Sequence, residues 1–435
     1  MQLSDLKNSN AVVVGLGLTG QACARFLVEQ GAKVTAMDRS ADVGVLTGVT
    51  LLSGDFDADV LCAADLVILS PGVNPLLPAI QAALQSGTKV MGDVELFAQF
   101  NTLPVIAITG SNGKSTVTCL VTEILNQGGI KAQMGGNIGT PVLELLESDA
   151  EVLVLELSSF QLETLDSLKP ECATILNVCE DHLDRHIVLN AYIAAKQRVY
   201  QHASICVANR DDVQTWPKDY QPKYSFGLSQ SPVGLSWDES NRCILDDGEP
   251  LVYEQECGIQ GLHNVLNMQA AICCVKSFNI AKDAIRTALH NFKGLAHRFE
   301  LINSTDKVRW INDSKATNIG ATIAAIESLK DRQGGKLILI AGGDGKNANF
   351  TELQPILLEA VDLLITLGKD GQEIASLKPG SIEVNTLQEA VEFAHNIVES
   401  GDIVLLSPAC ASLDMFDNYQ HRGDVFKRAV QQVVS

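Results

Sequence analysis

The chain has 435 residues, of which 46% are hydrophobic and 19% charged, and its formal net charge is −20. This length allows two to four domains with ample cores, and the acidic balance argues against nonspecific binding to nucleic acid or to anionic membranes, which needs a basic surface. No apolar run has the length of a membrane span. The eleven scattered cysteines lack metal-ligand spacing, and we recognise no secretory signal in the sequence. We therefore expect reduced thiols in the cytoplasm.

The first predicted segment, residues 1–92, alternates strands and helices in the manner of a parallel α/β sheet. Strands are predicted at 11–14, 33–37 and 66–70, and a helix at 21–30. Between the first strand and the helix stands Gly-Leu-Gly-Leu-Thr-Gly at 15–20, with Asp38 eighteen residues past its last glycine. This spacing is typical of a dinucleotide fingerprint, but NAD, another pyrophosphate and a plain tight turn all remain open.

The second segment, residues 93–297, carries the most informative pattern. Gly-Ser-Asn-Gly-Lys-Ser-Thr at 110–116 follows the apolar strand 105–109 and opens a helix. In this context backbone N–H groups hold phosphate oxygens, Lys114 reaches the terminal phosphates and the Ser115 hydroxyl serves Mg²⁺. The loop is shorter than the full Walker pattern. We predict a nucleoside triphosphate site, with an ordinary turn as the alternative.

Three further residues of this segment are candidates for chemistry. Further strands are predicted at 151–157, 173–178 and 205–208, helices at 191–202 and 264–276, and a β-rich insertion at 211–258. Glu156 ends an apolar strand, where a carboxylate can face the phosphates and hold Mg²⁺; the alternative is a strand-end carboxylate that faces solvent. His182, beside Asp181, is either a ligand or a structural histidine. Lys196 lies on an apolar helical stripe; its spacing alone favours a head group that snorkels to solvent, and the alternative is contact with anions.

The third segment, residues 298–435, again alternates strands and helices. Strands are predicted at 336–340, 363–367 and 403–406, and helices near 314–330, 387–399 and 422–433. Three polar loops, at 312–318, 342–346 and 407–412, follow apolar runs. Their composition suits a small polar ligand, although each loop alone is equally consistent with a structural turn.

Together these stretches resemble the Mur ligases, over essentially the whole chain and in the order expected of the family. The motifs that carry the resemblance are GLGLTG (15–20), SPG (70–72), TGSNGKST (109–116), GGNIG (135–139), LELSSFQLE (155–163), EDHLDRH (180–186), GLHN (261–264), HRFE (297–300), WINDSKATN (310–318), GGDGK (342–346) and SPACASLD (407–414). WINDSKATN and SPACASLD are typical of the member that adds D-glutamate. The loop and EDHLD are shared more widely, including with folylpolyglutamate ligases.

The resemblance implies an α/β protein of three domains. A Rossmann-like N-terminal domain (1–92) would take a UDP-sugar. A central P-loop α/β domain (93–297), with a small β-rich insertion, would take ATP. A Rossmann-like C-terminal domain (298–435) would take the amino acid. The first glycine loop would then hold a UDP pyrophosphate and not NAD.

The resemblance also implies roles for individual residues. The UDP-sugar would contact Gly17, Leu18, Thr19, Asp38, Arg39, Ser70, Asn137 and His182. ATP would contact Gly110, Ser111, Asn112, Gly113, Lys114, Ser115, Thr116, Asn264, Asn267, Arg298 and Asp313. D-glutamate would contact Lys315, Thr317, Lys346, Ser412, Leu413 and Tyr419. One magnesium ion would bind Ser115 and Glu156, and a second would bind His182 and a carbamylated Lys196. The catalytic residues would be Lys114, Glu156, His182 and Lys196.

The implied function is ATP-dependent ligation of D-glutamate to UDP-N-acetylmuramoyl-L-alanine through an acyl phosphate, in peptidoglycan synthesis. We expect a cytoplasmic monomer that binds neither nucleic acid nor membrane. The alternatives are another Mur ligase or a folylpolyglutamate ligase, an NAD-dependent dehydrogenase based on residues 15–38, and a nonenzymatic ATP-binding switch.

Overall fold

The computed structural model describes residues 2–44, 46–302, 307–330, 332 and 334–434, with the backbone alone at 183–184. The chain forms two compact units. The first unit comprises Met1–Val178, Ile193–Glu256 and Leu266–Leu289, and the second comprises Cys179–Tyr192, Cys257–Val265 and His290–Ser435. Among the described helices none is long and apolar enough to cross a membrane.

The first unit begins with a five-stranded parallel sheet of order β3-β2-β1-β4-β5. Its strands are β1 (Asn10–Val14), β2 (Lys33–Asp38), β3 (Val49–Ser53), β4 (Leu66–Leu69) and β5 (Lys89–Gly92), and its helices are α1 (Leu3–Leu6), α2 (Leu18–Glu29), α3 (Ala58–Cys62), α4 (Pro78–Gln85) and α5 (Asp93–Ala98). The strand order reverses between β1 and β4, and ligands of such sheets bind at this switch point, outside the carboxyl ends of the strands.

A second sheet of the first unit has six parallel strands in the order β11-β10-β9-β6-β8-β7. The strands are β6 (Val105–Thr109), β7 (Ala132–Gly136), β8 (Val152–Glu156), β9 (Cys172–Ile175), β10 (Ile205–Asn209) and β11 (Tyr224–Phe226). The helices along this stretch of chain are α6 (Lys114–Gln127), α7 (Ser159–Leu162), α8 (Leu183–His186), α9 (Leu189–Gln197), α10 (Leu262–Val275) and α11 (Lys282–Asn291). Its central strands are continuous apolar runs because both faces are covered.

The predicted β-rich insertion is smaller than the 211–258 expected from sequence. A three-stranded antiparallel sheet contains β12 (Leu235–Asp238), β13 (Cys243–Asp246) and β14 (Glu249–Tyr253). Strand β11 lies within the predicted range but pairs parallel with β10, so it extends the second sheet. Three residues are too few for a recognisable hydrophobic pattern, which is why the sequence did not separate this strand from the insertion.

The second unit contains a six-stranded sheet of order β15-β16-β20-β17-β18-β19. Its strands are β15 (Glu300–Ile302), β16 (Arg309–Asn312), β17 (Leu337–Gly342), β18 (Leu363–Leu367), β19 (Ile382–Glu383) and β20 (Ile403–Leu406), and its helices are α12 (Ile319–Glu327), α13 (Gln354–Ala360), α14 (Gly371–Ala375), α15 (Leu387–His395) and α16 (Tyr419–Val434). Only the pair β15–β16 is antiparallel among the described strands of this sheet. Two hydrophobic clusters pack in this unit, one of which joins β16, β17 and β20 to α15 and α16.

The α/β fold class predicted from sequence, with its three large sheets, is confirmed. The strands at 105–109, 363–367 and 403–406 have the predicted bounds. Helix α2, predicted to begin at residue 21, begins three residues earlier, at Leu18, so part of the glycine loop forms its first turn. Six 3₁₀ turns complete the elements of the described chain, at Val142–Glu147, Arg198–Tyr200, Val213–Thr215, Glu254–Glu256, Lys276–Phe278 and Phe350–Leu353.

Other predicted bounds were wrong for identifiable reasons. The strand predicted at 173–178 ends at Ile175, because beyond it the Asn177 side chain and the Val178 N–H bond to loops outside the sheet. The helix predicted near 314–330 starts only at Ile319, because Asn318 caps it by accepting a hydrogen bond from Ala321 N–H.

Candidate functional site

The loop between β6 and α6 has the shape predicted for a phosphate site. Gly113 is the N-cap of α6 in a left-handed conformation, with φ +82°. A Cβ at this position would lie 2.3 Å from Asn267 Oδ1, so any other residue would have to displace the Asn267 side chain and also adopt a strained backbone conformation. The loop and the first turn of α6 place a helix N-terminus at the carboxyl end of a central strand, where phosphate oxygens bind.

Two lysines converge on this loop. Lys114 Nζ donates to the carbonyl oxygens of Gly110, at 2.8 Å, and Ser111, at 2.9 Å. Lys196 Nζ donates to the same Gly110 carbonyl at 2.9 Å, and Lys196 is only 1% exposed. The prediction that the Lys196 ammonium extends to solvent is therefore wrong, because the Gly110 carbonyl accepts its hydrogen bond inside the protein. The Gly110 carbonyl therefore accepts hydrogen bonds from both lysine side chains.

A hydrogen-bonded carboxylate, Glu156, lies beside the loop. Ser115 Oγ donates to Glu156 Oε2 at 2.5 Å, and Asn137 Nδ2 donates to Glu156 Oε1 at 2.7 Å. Ser115 and Glu156 are buried. A hydroxyl and a carboxylate are oxygen ligands of the kind that Mg²⁺ prefers, so these residues fit a magnesium ion. No group of three or more His, Cys, Asp or Glu side chains is arranged as a metal site within the described part of the chain.

Asn177 fixes the phosphate loop, although the sequence did not single it out. Its carbonyl accepts from Ser111 N–H at 3.0 Å, its Oδ1 accepts from Asn112 N–H at 2.8 Å, and its Nδ2 donates to the Asn112 carbonyl at 3.1 Å. The position of Asn177 after a buried strand could have marked it as a candidate residue. The local sequence does not predict which loop its side chain contacts.

The predicted UDP-sugar residues of the N-terminal segment lie at the switch point of the first sheet. Ser70 Oγ donates to the Gly15 carbonyl at 2.7 Å, and Asp38 Oδ2 accepts from Leu16 N–H at 2.7 Å. A Cβ on Gly20 would lie 1.8 Å from the Gly15 oxygen, so this glycine lets α2 press against the loop. The remaining residues of the set in this sheet are Gly17, Leu18 and Thr19 at the start of α2 and Arg39 after β2, whose guanidinium lies over the Phe56 ring at 5.8 Å.

The loops at 342–346 and 407–412 flank the switch point of the second unit's sheet, between β17 and β20, as their positions after strands predicted. The guanidinium of Arg422 joins the loops at 312–318 and 407–412. It donates to Ser314 Oγ at 3.0 Å and to the carbonyls of Ser314 at 2.7 Å, Cys410 at 3.0 Å and Ala411 at 3.3 Å. Burial lowers the pKa of this guanidinium to about 10. The sequence did not identify Arg422, since its loop partners lie far along the chain.

The predicted D-glutamate residues lie in these three loops or shortly after the last of them. Lys315 Nζ lies 4.0 Å from the centroid of the Tyr419 ring, a cation–π contact. Ser412 is buried and Leu413 is 73% exposed. Lys346, in a left-handed conformation with φ +54°, forms an ion pair with Asp181 at 2.7 Å.

A small cavity of the second unit brings several predicted residues together. Its lining includes Asp181, His182, Thr317, Asn318, Lys346 and Ala409. Asp181 also accepts from His182 N–H at 2.9 Å and from Asn318 Nδ2 at 3.2 Å. Burial opposes ionisation of Asp181, but the nearby His182 and Lys346 outweigh it and hold the pKa of this carboxyl at about 2. Cys179 lies next to the wall, with Sγ 3.9 Å from Asn318 Oδ1.

The remaining predicted ATP residues fall in both units. Asn267 lies beside Gly113 in the first unit. In the second unit Asn264 Nδ2 donates to the Gln260 carbonyl at 2.9 Å. Asp313 accepts from Ser407 Oγ at 3.0 Å, and burial raises the pKa of its carboxyl to about 7 despite that bond and the nearby charge of Arg298.

Family models match most of the chain. The models described as Mur ligase MurD-like, N-terminal domain; Mur ligase middle domain; and Mur ligase, glutamate ligase domain match residues 9–92, 108–275 and 297–410. A UDP-N-acetylmuramoylalanine–D-glutamate ligase of Pseudoalteromonas translucida is 45% identical over 440 residues, which cover 98% of each chain. A protein of the same name from Haemophilus influenzae is 42% identical over 432 residues, again 98% of each chain.

Solved structures share the fold at lower identity. The UDP-N-acetylmuramate-alanine ligase MurC of Thermotoga maritima superposes with a TM-score of 0.63 at 20% identity, over 98% of this chain and 99% of that one. A pseudomurein peptide ligase type C of Methanothermus fervidus gives a TM-score of 0.62 at 18% identity, over 98% of this chain and 100% of that one. At these identities the likeness shows the fold alone.

Proposed function

Because this chain belongs to the Mur ligase family, we propose that it joins D-glutamate to UDP-N-acetylmuramoyl-L-alanine in an ATP-dependent reaction of peptidoglycan synthesis. The observation that carries this function is 45% identity, along nearly the whole chain, to a protein named for that reaction. The enzyme is an amide-forming ligase, and its product serves cell-wall biogenesis, cell shape and cell division.

The chemistry follows from the carboxylate that must be activated. A carboxylate is a poor acyl donor because its oxygen is a poor leaving group. Transfer of the γ-phosphoryl group of ATP to the alanyl carboxylate gives an acyl phosphate; the amine of D-glutamate attacks it, and the tetrahedral intermediate expels phosphate. Lys114 offsets the charge that builds on the transferring group, and bound Mg²⁺ supplies further electrostatic stabilisation.

The nucleotide roles rest on the loop geometry. The N–H groups of the loop at 110–116 would cradle the phosphates. The Lys114 ammonium, which lies against the loop at the carbonyls of Gly110 and Ser111, would bind the terminal ones. Ser115 and Glu156, which are hydrogen-bonded to each other, would hold one magnesium ion. Asn264, Asn267, Arg298 and Asp313 are the proposed contacts for the rest of the nucleotide.

The substrate roles follow the loops at the two switch points. The UDP-sugar contacts Gly17, Leu18, Thr19, Asp38, Arg39, Ser70, Asn137 and His182. D-glutamate contacts Lys315, Thr317, Lys346, Ser412, Leu413 and Tyr419. Lys315 and Lys346 supply the positive charge for its carboxylates, and the contacts of both ammonium groups within the second unit support this assignment.

A second magnesium ion and a carbamylated Lys196 are part of the proposal. A carbamate on Nζ would convert a buried cation into an anion that can ligate Mg²⁺ together with His182. The burial of Lys196 beside the phosphate loop supports this modification, because a buried ammonium is costly. Carbon-13 NMR of the active enzyme in labelled bicarbonate should give a carbamate signal that Lys196→Ala lacks; a free amine in active enzyme would refute it.

We propose domain boundaries at 1–92, 93–297 and 298–435, and a monomer that works in the cytoplasm. None of the eleven cysteines, all of which lie in the described part of the chain, forms a disulfide, which suits a reducing compartment. The net charge of −20 disfavours nucleic acid as a partner.

The test is phosphate release from ATP, Mg²⁺ and UDP-N-acetylmuramoyl-L-alanine with D-glutamate, compared with L-glutamate, other amino acids and a folate acceptor. We expect release with D-glutamate only, and none from Lys114→Ala. The matched control is Lys131→Ala, which removes an exposed lysine of the same unit that pairs with Asp149. Normal turnover of Lys114→Ala would refute the loop as the site, and release with another acceptor would select an alternative ligase.

A further inference from the structure

We propose that Asp181 is a positioning residue for the amino-acid substrate: it fixes the ammonium group of Lys346 where the substrate carboxylate binds. This inference rests on the proposed function, which makes Lys346 a contact of D-glutamate. Asp181 itself belongs to no predicted contact set.

Asp181 is anchored independently of the lysine. Its Oδ1 accepts from its neighbour's backbone, His182 N–H, at 2.9 Å, and its Oδ2 accepts from Asn318 Nδ2 at 3.2 Å. Asn318 is in turn held as the N-cap of α12. The carboxylate is therefore a fixed point of the second unit, and Asp181 and Lys346 both line the same cavity.

The backbone that carries Lys346 is fixed as well. Lys346 N–H donates to Asp344 Oδ1 at 2.9 Å, and Gly345 N–H donates to Asp370 Oδ2 at 2.7 Å. Lys346 has φ +54° and Asn347 has φ +61°, left-handed conformations that are uncommon for residues other than glycine and asparagine. The flexible part that remains is the lysine side chain, and the ion pair of 2.7 Å with Asp181 fixes its end.

A fixed ammonium binds an anion better than a mobile one, because less side-chain entropy is lost on binding. Asp181 uses one of the three donors of an ammonium group, which leaves donors for a ligand. The negative charge of Asp181 opposes anion binding at the lysine, so the positioning role requires that the gain from a fixed ammonium exceeds this opposition.

The test is a double-mutant cycle on KM. We expect Asp181→Asn to raise KM for D-glutamate about tenfold, the difference between a charged and a neutral acceptor, with kcat and the KM values for ATP and UDP-sugar within about threefold. Lys346→Gln should raise KM for D-glutamate further, and the double variant should equal Lys346→Gln alone, because Asp181 acts through the lysine.

The control and the alternative outcomes are distinguishable. Glu359→Gln breaks the Lys330–Glu359 pair of the same unit, at 2.6 Å, and should change no KM. If Lys346→Gln leaves KM for D-glutamate unchanged, the proposed function of Lys346 fails. If Lys346→Gln raises KM for D-glutamate but Asp181→Asn leaves that KM unchanged or lowers it, the positioning role is overturned while the function of Lys346 stands. The same conclusion follows if the effects of the two substitutions on KM add in the double variant. Should Asp181→Asn not fold, Asp181→Glu replaces it in the cycle with the same expected sign and non-additivity.

Discussion

Gly113 is a residue whose missing side chain shapes the nucleotide site. It has φ +82°, and a Cβ would lie 2.3 Å from Asn267 Oδ1. We expect Gly113→Ala to lower stability by about 1–2 kcal/mol from backbone strain and to abolish nucleotide binding, since Asn267 and the loop must move apart. Calorimetry with Mg²⁺ and ADP, together with thermal unfolding, measures both effects.

The matched control for this prediction is Gly129→Ala. Gly129 has almost the same conformation, φ +83°, but nothing lies within 4 Å of its Cβ position. It should therefore show the strain alone and bind nucleotide normally. Equal binding by the two variants would contradict the role given to the contact with Asn267.

Asp93 is a buried carboxyl of the first unit that should make stability depend on pH. Burial raises its pKa to about 6, against a hydrogen bond from Gln161 Nε2 at 2.9 Å. The pKa of Asp93 is higher in the folded state than in the unfolded state, so its contribution to the free energy of unfolding is most favourable below about pH 4. This contribution is lost as the pH rises past 6, and the complete loss amounts to about 3 kcal/mol. Asp93→Asn should thus stabilise the protein more at pH 8 than at pH 5 in urea unfolding; an equal change at both pH values would contradict this.

The single residues that sequence could predict were those with local signals. Lys114 and Ser115 stand in a spaced motif, and Glu156 ends an apolar strand, so the chain itself shows their chemistry. The burial of Lys196 and the loop contacts of Asn177 depend on which distant backbone lies opposite, and no spacing along the chain contains that information.

At the scale of elements, helix α16 holds two loops of the second unit through one side chain. Arg422 donates to Ser314 and to the carbonyls of Cys410 and Ala411. Lysine cannot reproduce this fork. We expect Arg422→Lys to lower the free energy of unfolding by about 2–4 kcal/mol and to raise KM for D-glutamate, measured by thermal unfolding and by steady-state kinetics.

Arg428 offers the control on the same helix. It is exposed, so Arg428→Lys should change stability by less than about 0.5 kcal/mol. A similar loss in both variants would mean that helix α16, and not the contacts of Arg422, accounts for the effect.

Strands with long apolar runs were predictable, and edge strands were not. The sequence places β6, β18 and β20 at their observed bounds because each is buried along its whole length or nearly so. Strand β3 was missed because it is largely exposed, and β19 because it has two residues. Such strands form because a neighbouring strand offers hydrogen bonds, which is tertiary information.

At the scale of the whole molecule, the two compact units should unfold separately, because each has its own hydrophobic clusters. The three tryptophans can report this: Trp216 and Trp237 lie in the first unit and Trp310 lies in the second. In Trp310→Phe the remaining tryptophan fluorescence reports the first unit, and in the double variant Trp216→Phe, Trp237→Phe it reports the second. We expect the urea midpoints of fluorescence of these two variants to differ. Circular dichroism of each variant, which follows both units, is the control; a single shared midpoint would contradict the prediction.

The large-scale plan of three sheets could be predicted because alternation of strands and helices repeats along the chain. The order of strands within each sheet could not, since β20 inserts between β16 and β17 although it comes last in sequence. That insertion places the loops at 342–346 and 407–412 side by side.

The distribution of thiols gives the protein an intrinsic chemical reporter. Eight of the eleven cysteines are buried, and the partly exposed ones are Cys62, Cys119 and Cys179. Cys179 contacts Asn318, which lines the cavity of the second unit. We therefore expect alkylation of Cys179 to slow when a ligand fills that cavity, and peptide mass spectrometry of the otherwise unmodified enzyme measures this; an unchanged rate would contradict it.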